Sequence, residues 1–156
     1  MMPGKFPEVR AKNLAGEHFL LPRDFEGDLN LLYLAFQREQ QPMVNTWLPT
    51  ADLLENMYPG LRYYELPTIS RMNPFTRWFI NTGMRSGISD PKARRKTITL
   101  YLDKKTFRMA LGIPGEDTIA ILLLNKKGEI VWREEGPCNV DRAKNLSDFV
   151  KAFFEG

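Results

Sequence analysis

The sequence predicts an α/β fold in which a mixed central β-sheet is flanked by helices and preceded by an N-terminal β-hairpin. Strand patterns and helix patterns alternate along the chain, which is typical of a sheet whose faces are covered by helices. The segment Leu29–Phe36 is almost continuously apolar, as expected of a central strand buried on both faces. A final hairpin followed by an amphipathic helix completes the pattern.

The first half of the chain supplies four of these elements. Val9–Leu21 has the pattern of a hairpin that turns at Ala15-Gly16-Glu17, and the strand Leu29–Phe36 follows it. After a loop over Gln37–Gln41, apolar residues recur at helical spacing, and Pro49 must kink or restart the helix because it lacks a backbone donor. The strand Leu61–Leu66 comes next. The buried helical stripe is predicted to contain Val44, Trp47, Leu48, Ala51, Leu54, Met57 and Tyr58.

In the second half, strand and helix patterns continue after a helix that opens at Asn73-Pro74 and runs toward Gly83. Residues 86–96 are polar, basic and glycine-containing, so we expect a long loop there. The remaining predicted elements are a strand at Thr97–Leu102, a helix capped by Asp103 that ends at Leu111, a hairpin of Thr118–Leu124 and Glu129–Trp132 with its turn at Asn125–Gly128, and a helix near Asp141–Phe154 whose inner face carries Leu146, Phe149, Val150 and Phe153.

Length and composition indicate one domain and exclude several kinds of site. With 156 residues, 43% of them hydrophobic, the chain fits a single domain over 1–156 with its core at about 9–154. A formal net charge of +3 is too small and too dispersed for a dedicated nucleic-acid binder, so nucleic acid is not an expected partner. One cysteine, one histidine and the absence of phosphate-binding glycine motifs lead us to expect no metal and no cofactor.

The hydropathy pattern of the chain predicts its cellular location. The N-terminus has no apolar segment of signal-peptide length, and no stretch approaches the ~20 apolar residues that span a bilayer. We therefore expect a soluble, cytoplasmic protein without a membrane span, and a targeting segment removed earlier would leave no trace in this sequence.

Two segments carry a resemblance to a known superfamily. The segment Gln41-Pro-Met-Val44 followed by Pro49, together with the Ala120–Trp132 hairpin and the order of elements, resembles the thioredoxin-like superfamily in its peroxiredoxin and membrane-anchored reductase branches. Redox members have a Cys-x-x-Cys motif with a proline five residues after its second cysteine. Counting back from Pro49 gives Val44 and Gln41, and neither side chain can act as a thiolate nucleophile.

A second part of the redox apparatus is also missing. In the redox branches a cis-proline precedes the strand that we place at Ala120–Leu124, whereas this chain has Ile119 after Thr118. A cis bond before a residue other than proline costs ~2.5–4 kcal/mol, so we expect the cis geometry to be lost. Both departures argue against thiol–disulfide exchange, and they favour a protein that is not an enzyme.

Within the superfamily, the stretch from Lys96 to Trp132 and Gly136 is more similar to the thioredoxin-like mitochondrial ATP synthase assembly factors. That family acts as a chaperone for a membrane subunit, so the resemblance implies an assembly role. This sequence shows no transit peptide.

The predicted partner-binding site lies where the central strand meets the following helix, because α/β folds place ligands at the carboxyl ends of strands. Exposed amide and charged side chains there can bind a protein or peptide by hydrogen bonds. We therefore predict a non-redox adaptor or assembly chaperone, with a vestigial groove that binds nothing as the opposing interpretation. The predicted binding residues are Gln37, Arg38, Gln40, Gln41, Pro42, Thr118 and Ile119.

Cys138 supports an alternative function. It precedes the last predicted helix, and as a nucleophile it would make the chain a one-cysteine peroxidase or thiol oxidoreductase. That chemistry requires a depressed thiol pKa, and the alternative is an inert, partly buried thiol. His18 has no nameable partner, which favours a surface or packed side chain.

A basic run in the predicted 86–96 loop suggests a weak contact with phosphate groups, an acidic protein surface or anionic lipid headgroups. The opposing interpretation is a solvated loop, because no aromatic residues interleave the charges. The four basic residues are Lys92, Arg94, Arg95 and Lys96.

Overall fold

The computed structural model describes residues 4–70 and 90–156, and one seven-stranded mixed sheet runs through both ranges. From edge to edge the strand order is β2-β1-β5-β4-β3-β6-β7. The strands are β1 Val9–Asn13, β2 His18–Leu21, β3 Leu29–Ala35, β4 Leu61–Ser70, β5 Ile98–Leu102, β6 Ala120–Asn125 and β7 Ile130–Glu135. The predicted α/β fold with a mixed sheet and an N-terminal hairpin is confirmed.

Five α-helices lie among the described residues, and a short 3₁₀ turn at Arg38–Gln40 leads into the first of them. Thr46 and Trp47 separate the first two helices, and Pro49 is accommodated in the first turn of the second, where its missing N–H costs nothing. The helices are α1 Gln41–Asn45, α2 Leu48–Met57, α3 Pro91–Lys96, α4 Lys104–Leu111 and α5 Val140–Glu155.

Strand β3 lies at the centre of the sheet. It pairs in parallel with β4 and antiparallel with β6, and every residue from Leu29 to Leu34 is buried. Alternate side chains therefore enter two cores. Leu32 and Leu34 pack with Phe107 and Leu111 of α4 on one face, while Tyr33 packs with Trp47 on the other.

The predicted 86–96 loop is wrong over its second half, because α3 forms there. The Asp90 side chain accepts a hydrogen bond from the backbone N–H of Lys92, and Pro91 occupies the first turn. An acidic N-cap followed by proline is a helix-start signal that the basic composition obscured. The helix predicted from Asn73 to Gly83 lies outside the described residues.

The basic run does not form one exposed surface, and the predicted anionic contact is wrong for Lys96. Its side chain is buried, with the ammonium paired to Glu55 and lying 4.1 Å from the centre of the Tyr63 ring. Burial lowers the pKa of Lys96, and the Glu55 carboxylate opposes that shift. Lys92 is exposed and reaches the same carboxylate at 3.5 Å. Lys96 therefore joins α3 to α2 rather than facing a partner.

The inner face of α5 differs from the prediction by one position. Leu146 and Val150 are fully buried as expected, but Phe153 is 44% exposed. The neighbouring Phe154 stacks on Tyr58 at a centroid distance of 5.2 Å. Successive side chains of a helix point about 100° apart, so when Phe154 faces Tyr58, Phe153 faces solvent.

Within the described ranges, no helix combines the length and the apolar character needed to cross a bilayer.

Candidate functional site at the carboxyl end of β3

Three loops converge at the carboxyl end of β3. The β3–α1 loop (residues 36–40) follows that strand directly. The α4–β6 loop (residues 112–119) arrives beside it, because Leu34 is in register with Ala120. The β7–α5 loop (residues 136–139) completes the group, since the N–H of Gly136 donates to the carbonyl of Ile119 at 3.0 Å. The residues predicted for binding and the cysteine therefore lie at one end of the sheet.

Gln40 holds the β3–α1 loop together from inside. Its side chain is buried, and its Oε1 accepts from the backbone N–H groups of Phe36 at 2.8 Å and Gln37 at 3.2 Å. Its Nε2 donates to the carbonyl of Glu116 at 2.6 Å. All of these bonds are internal, so Gln40 positions the loop and has no exposed amide for a partner.

The Glu116 side chain fixes the same two loops from the outside. Its Oε1 accepts from Gln37 Nε2 at 3.0 Å and pairs with Lys104 Nζ at 2.8 Å. Lys104 also donates to the carbonyl of Phe36 at 3.1 Å. Two loops that are far apart in sequence thus form one rigid rim.

Gln41 stands where the resemblance places the first cysteine of a dithiol, and its amide nitrogen donates two hydrogen bonds. Its Nε2 donates to Asn45 Oδ1 and to Glu65 Oε1, both at 3.0 Å. Glu65 is only 8% exposed, and burial raises the pKa of this carboxyl, while the hydrogen bond from Gln41 acts in the opposite direction. Gln41 therefore links α1 to β4.

The remaining predicted residues divide by exposure. Arg38 and Pro42 are exposed, and Thr118 is half-buried with its Oγ1 3.6 Å from the sulfur of Met43. Ile119 is fully buried, and its peptide bond to Thr118 is trans. A cavity of about 310 Å³ opens beside Thr118. Its charged lining residues are Asp117, Arg133, Glu134 and Glu135.

Sequence reasoning missed the position of Cys138, which the structure places against the α1–α2 segment. The backbone N–H of Cys138 donates to Thr46 Oγ1 at 2.8 Å, and Trp47 Nε1 donates to the carbonyl of Gly136 at 2.9 Å. The predicted β6–β7 hairpin already implies this position. Strand β7 runs back beside β6, so the residues after Glu135 return to the end of the sheet where β6 begins.

The environment of Cys138 does not activate its thiol. Burial raises the pKa of Cys138, while a hydrogen bond from Thr50 and the charge of Arg142 partly offset that effect. A nucleophilic cysteine at neutral pH needs a pKa shifted in the opposite direction. Its start-of-helix position therefore does not produce the depressed pKa that the alternative function requires.

Tyr33 lies beneath the α1–α2 segment and was not singled out from the sequence. It is 1% exposed, and its ring lies 6.0 Å from Trp47 and 6.5 Å from Tyr63. Tyr63 donates to Asp52 Oδ1 at 2.7 Å, but the Tyr33 hydroxyl has no hydrogen-bond partner among residues 4–70 and 90–156. Across the same residues, no three His, Cys, Asp or Glu side chains converge as metal ligands.

No protein-family model and no curated protein matches this sequence. Solved structures do match it. The thioredoxin domain of a thiol-disulfide oxidoreductase from Bacteroides vulgatus is 19% identical with a TM-score of 0.63, and the match covers 96% of this chain and 98% of that one. A putative electron transfer protein from Aquifex aeolicus is 10% identical with a TM-score of 0.67, covering 97% of each chain. The chain has a thioredoxin-like fold.

Another thioredoxin-like match is BsSco, a member of the Sco family of cytochrome c oxidase assembly proteins. It is 13% identical with a TM-score of 0.64, and the match covers 96% of this chain and 92% of that one. These identities establish the fold alone. Several matches are named as thiol-disulfide proteins, whereas the single cysteine of this chain leaves no partner for an intramolecular disulfide.

Proposed function

We propose that the chain is a non-redox binding protein on a thioredoxin-like fold, an adaptor or assembly chaperone that binds a protein or peptide. The observation that carries this proposal is the engagement of Gln41 with Glu65 at the position of the missing dithiol. A hydrogen-bonded amide gives that position a fixed shape and no sulfur chemistry. Binding is then the activity that the fold can still perform there.

The proposed contact surface consists of Arg38 and Thr118 on the rim and Pro42 at the start of α1; Arg38 and Pro42 are exposed, and Thr118 is half-buried. The internal bonds of Gln40 and Glu116 hold this rim rigid, which lowers the entropic cost of binding. The adjacent cavity offers charges of both signs, Asp117 and Arg133 among them, for the side chains of a bound segment. In this proposal Gln37, Gln40, Gln41 and Ile119 position the rim without contacting the partner.

Two similarities support an assembly role. The first is the resemblance to ATP synthase assembly factors, and the second is the match to BsSco, which is described as belonging to a family of assembly proteins. Both remain part of the proposal. A cytoplasmic location also remains a prediction, because the matched structures include an exposed lipoprotein thioredoxin from Streptococcus pneumoniae.

The second candidate is a one-cysteine peroxidase or thiol oxidoreductase that uses Cys138. The observation in its favour is that Cys138 lies against Thr46, beside the position of the missing dithiol. The raised pKa of its thiol counts against it.

Peptides selected on the wild-type protein from a random library would test the proposal. We expect the Arg38→Ala/Thr118→Ala double variant to bind a selected peptide about tenfold more weakly or worse, the usual loss when central contacts are removed. Lys127→Ala is the matched control, since Lys127 is exposed in the β6–β7 turn at the opposite end of the sheet. Calorimetry and circular dichroism would report binding and folding.

Two outcomes would reject the proposal. One is equal binding by the double variant and the wild type. The other is catalytic turnover of a hydroperoxide or of insulin disulfides that is lost in Cys138→Ser, which would establish the second candidate instead.

A further inference from the structure

A cavity of about 830 Å³ opens over β1, β2 and β5, the three strands at one edge of the sheet. Its volume lies within the roughly 300–1,000 Å³ that is typical of pockets for small molecules. Its described lining residues include none from the three loops at the carboxyl end of β3. The cavity is therefore separate from the candidate partner-binding site.

Strand geometry determines which side chains of β1 face this cavity. Ala11 packs against the core on the far face of the sheet, so its neighbours Arg10 and Lys12 point toward the cavity that they line. In the strand register, Lys12 lies opposite His18 on β2 and opposite Thr99 on β5. Adjacent strands are about 4.8 Å apart, so these three side chains form one row across the sheet face beneath the cavity.

Two cations in this cavity have no ionic partner inside the protein. Arg10 and Lys12 are exposed, and within residues 4–70 and 90–156 neither forms an ion pair. Arg23 also lines the cavity, but its Nε pairs with Asp24 Oδ1 at 3.1 Å. The other carboxylate oxygen of Asp24 accepts from the backbone N–H of Leu20 at 2.7 Å. The charges of Arg23 and Asp24 therefore cancel, and those of Arg10 and Lys12 remain for a ligand.

The hydroxyl of Thr99 is an independent indication of a ligand. Thr99 is 4% exposed, and its Oγ1 has no hydrogen-bond partner among the residues that the structure describes. Ile98 and Leu100 pack into the core, so the Thr99 side chain points to the opposite face of the sheet and lines the cavity. Buried polar groups in folded proteins nearly always have partners. The unpaired hydroxyl therefore indicates a polar ligand group beside Lys12.

We propose that this cavity binds a small phosphorylated organic molecule, whose phosphate contacts Arg10 and Lys12 and which also hydrogen-bonds to the Thr99 hydroxyl. A phosphate monoester carries a charge of about −1.5 to −2 at neutral pH, which matches two cations, whereas one carboxylate neutralises only one of them. The guanidinium of Arg10 can bind two phosphate oxygens at once, and the ammonium of Lys12 adds a point charge.

The cavity also has room for the organic part of such a molecule. Leu20 lies opposite Arg10 in the register and lines the cavity, so an apolar side chain adjoins the proposed phosphate position. Burial of apolar ligand surface there adds affinity that inorganic phosphate cannot gain. This proposal goes beyond the binding of a protein or peptide and uses none of the residues that carry that function.

Calorimetric titration of the full chain at pH 7 and low salt would test the ligand class. The probes are AMP and glucose 6-phosphate, each compared with its unphosphorylated counterpart, adenosine or glucose, and with inorganic phosphate. We expect at least one phosphorylated probe to bind with a Kd below about 1 mM, and its counterpart to show no binding. Inorganic phosphate should bind about tenfold more weakly than that probe.

Three variants would test the residues, using the phosphorylated probe that binds more tightly. Arg10→Gln and Lys12→Gln should each weaken binding about tenfold or more, because each removes a charged contact. Lys105→Gln is the matched control, since Lys105 is exposed on α4, which packs on the other face of the sheet. Thr99→Val should weaken binding about 2- to 10-fold, the factor for one hydrogen bond. Its urea midpoint should not fall, because the hydroxyl has no partner among the described residues.

Several results would overturn the proposal. They are no binding of either phosphorylated probe, equal binding of inorganic phosphate, which would indicate an adventitious ion only, and equal losses in Lys12→Gln and Lys105→Gln. A Thr99→Val variant that loses stability but not affinity would show that the hydroxyl serves the fold and not a ligand. Peptide binding by the Arg38→Ala/Thr118→Ala variant is measured on other residues, so the two proposals fail separately.

Discussion

The β3–α1 loop and the β7–α5 loop reach the same end of the sheet but use their polar groups in opposite ways. In the first loop, Gln40 is hydrogen-bonded through both ends of its amide to groups inside the protein. Beside the second loop, the buried hydroxyl of Tyr33 has no hydrogen-bond partner among residues 4–70 and 90–156. The sequence alone predicts the reverse for Gln40, which is among the residues expected to bind a partner. Hydrogen-bonding capacity locates a candidate site only after the internal bonds have been counted.

The largest effect should come from breaking the first loop. Gln40→Ala removes an amide that accepts two backbone bonds and donates a third, which leaves buried groups of Phe36 and Glu116 unpaired. We expect the free energy of unfolding to fall by about 2–4 kcal/mol, measured by urea denaturation. Gln37→Ala is the control, because Gln37 is exposed and should cost less than about 1 kcal/mol.

If the free energy of unfolding falls equally in the two variants, the internal hydrogen bonds of Gln40 are not what distinguishes this loop. The comparison with the β7–α5 loop would then lose its structural basis.

A smaller effect on the free energy of unfolding is expected from Glu65, the buried carboxylate that accepts a hydrogen bond from Gln41. Burial raises the pKa of Glu65 above its ordinary value of 4.5, so the native state retains a proton that the unfolded chain has already lost. The free energy of unfolding should therefore fall as pH rises from 4.5 through the raised pKa. Glu65→Gln cannot ionise. It should be more stable than the wild type at neutral pH, with the difference vanishing below 4.5.

Urea denaturation of both proteins from about pH 4 to about pH 8 would measure that difference. A wild type that gains stability relative to Glu65→Gln as pH rises would mean that Gln41 stabilises the carboxylate more than burial disfavours it.

The sequence predicts those parts of this fold that depend on local apolar patterning. The buried run of β3 and the position of Trp47 in its stripe follow directly from spacing, and both are confirmed. The phase of α5 does not. Phe153 and Phe154 are both compatible with its stripe, and the choice depends on Tyr58, a residue about one hundred positions away.

The candidate site depends still more on distant partners. Gln40 is bonded to Glu116 across 76 positions, and Lys96 lies 41 positions from Glu55. No single-sequence pattern contains such pairings, so both side chains were predicted to face solvent or a partner. The proximity of Cys138 to Thr46 likewise follows from strand order, which local sequence does not determine.

The smallest expected effect concerns the thiol of Cys138, which lies in the β7–α5 loop. Because burial raises the pKa of Cys138 above 9.0, the rate of iodoacetamide alkylation should have its pH midpoint above that value. Thr50→Val should move the midpoint further upward by removing a donor to the thiolate, and Arg142→Gln should do so by a smaller amount. A midpoint below 9.0 would instead indicate an activated nucleophile and favour catalysis by Cys138.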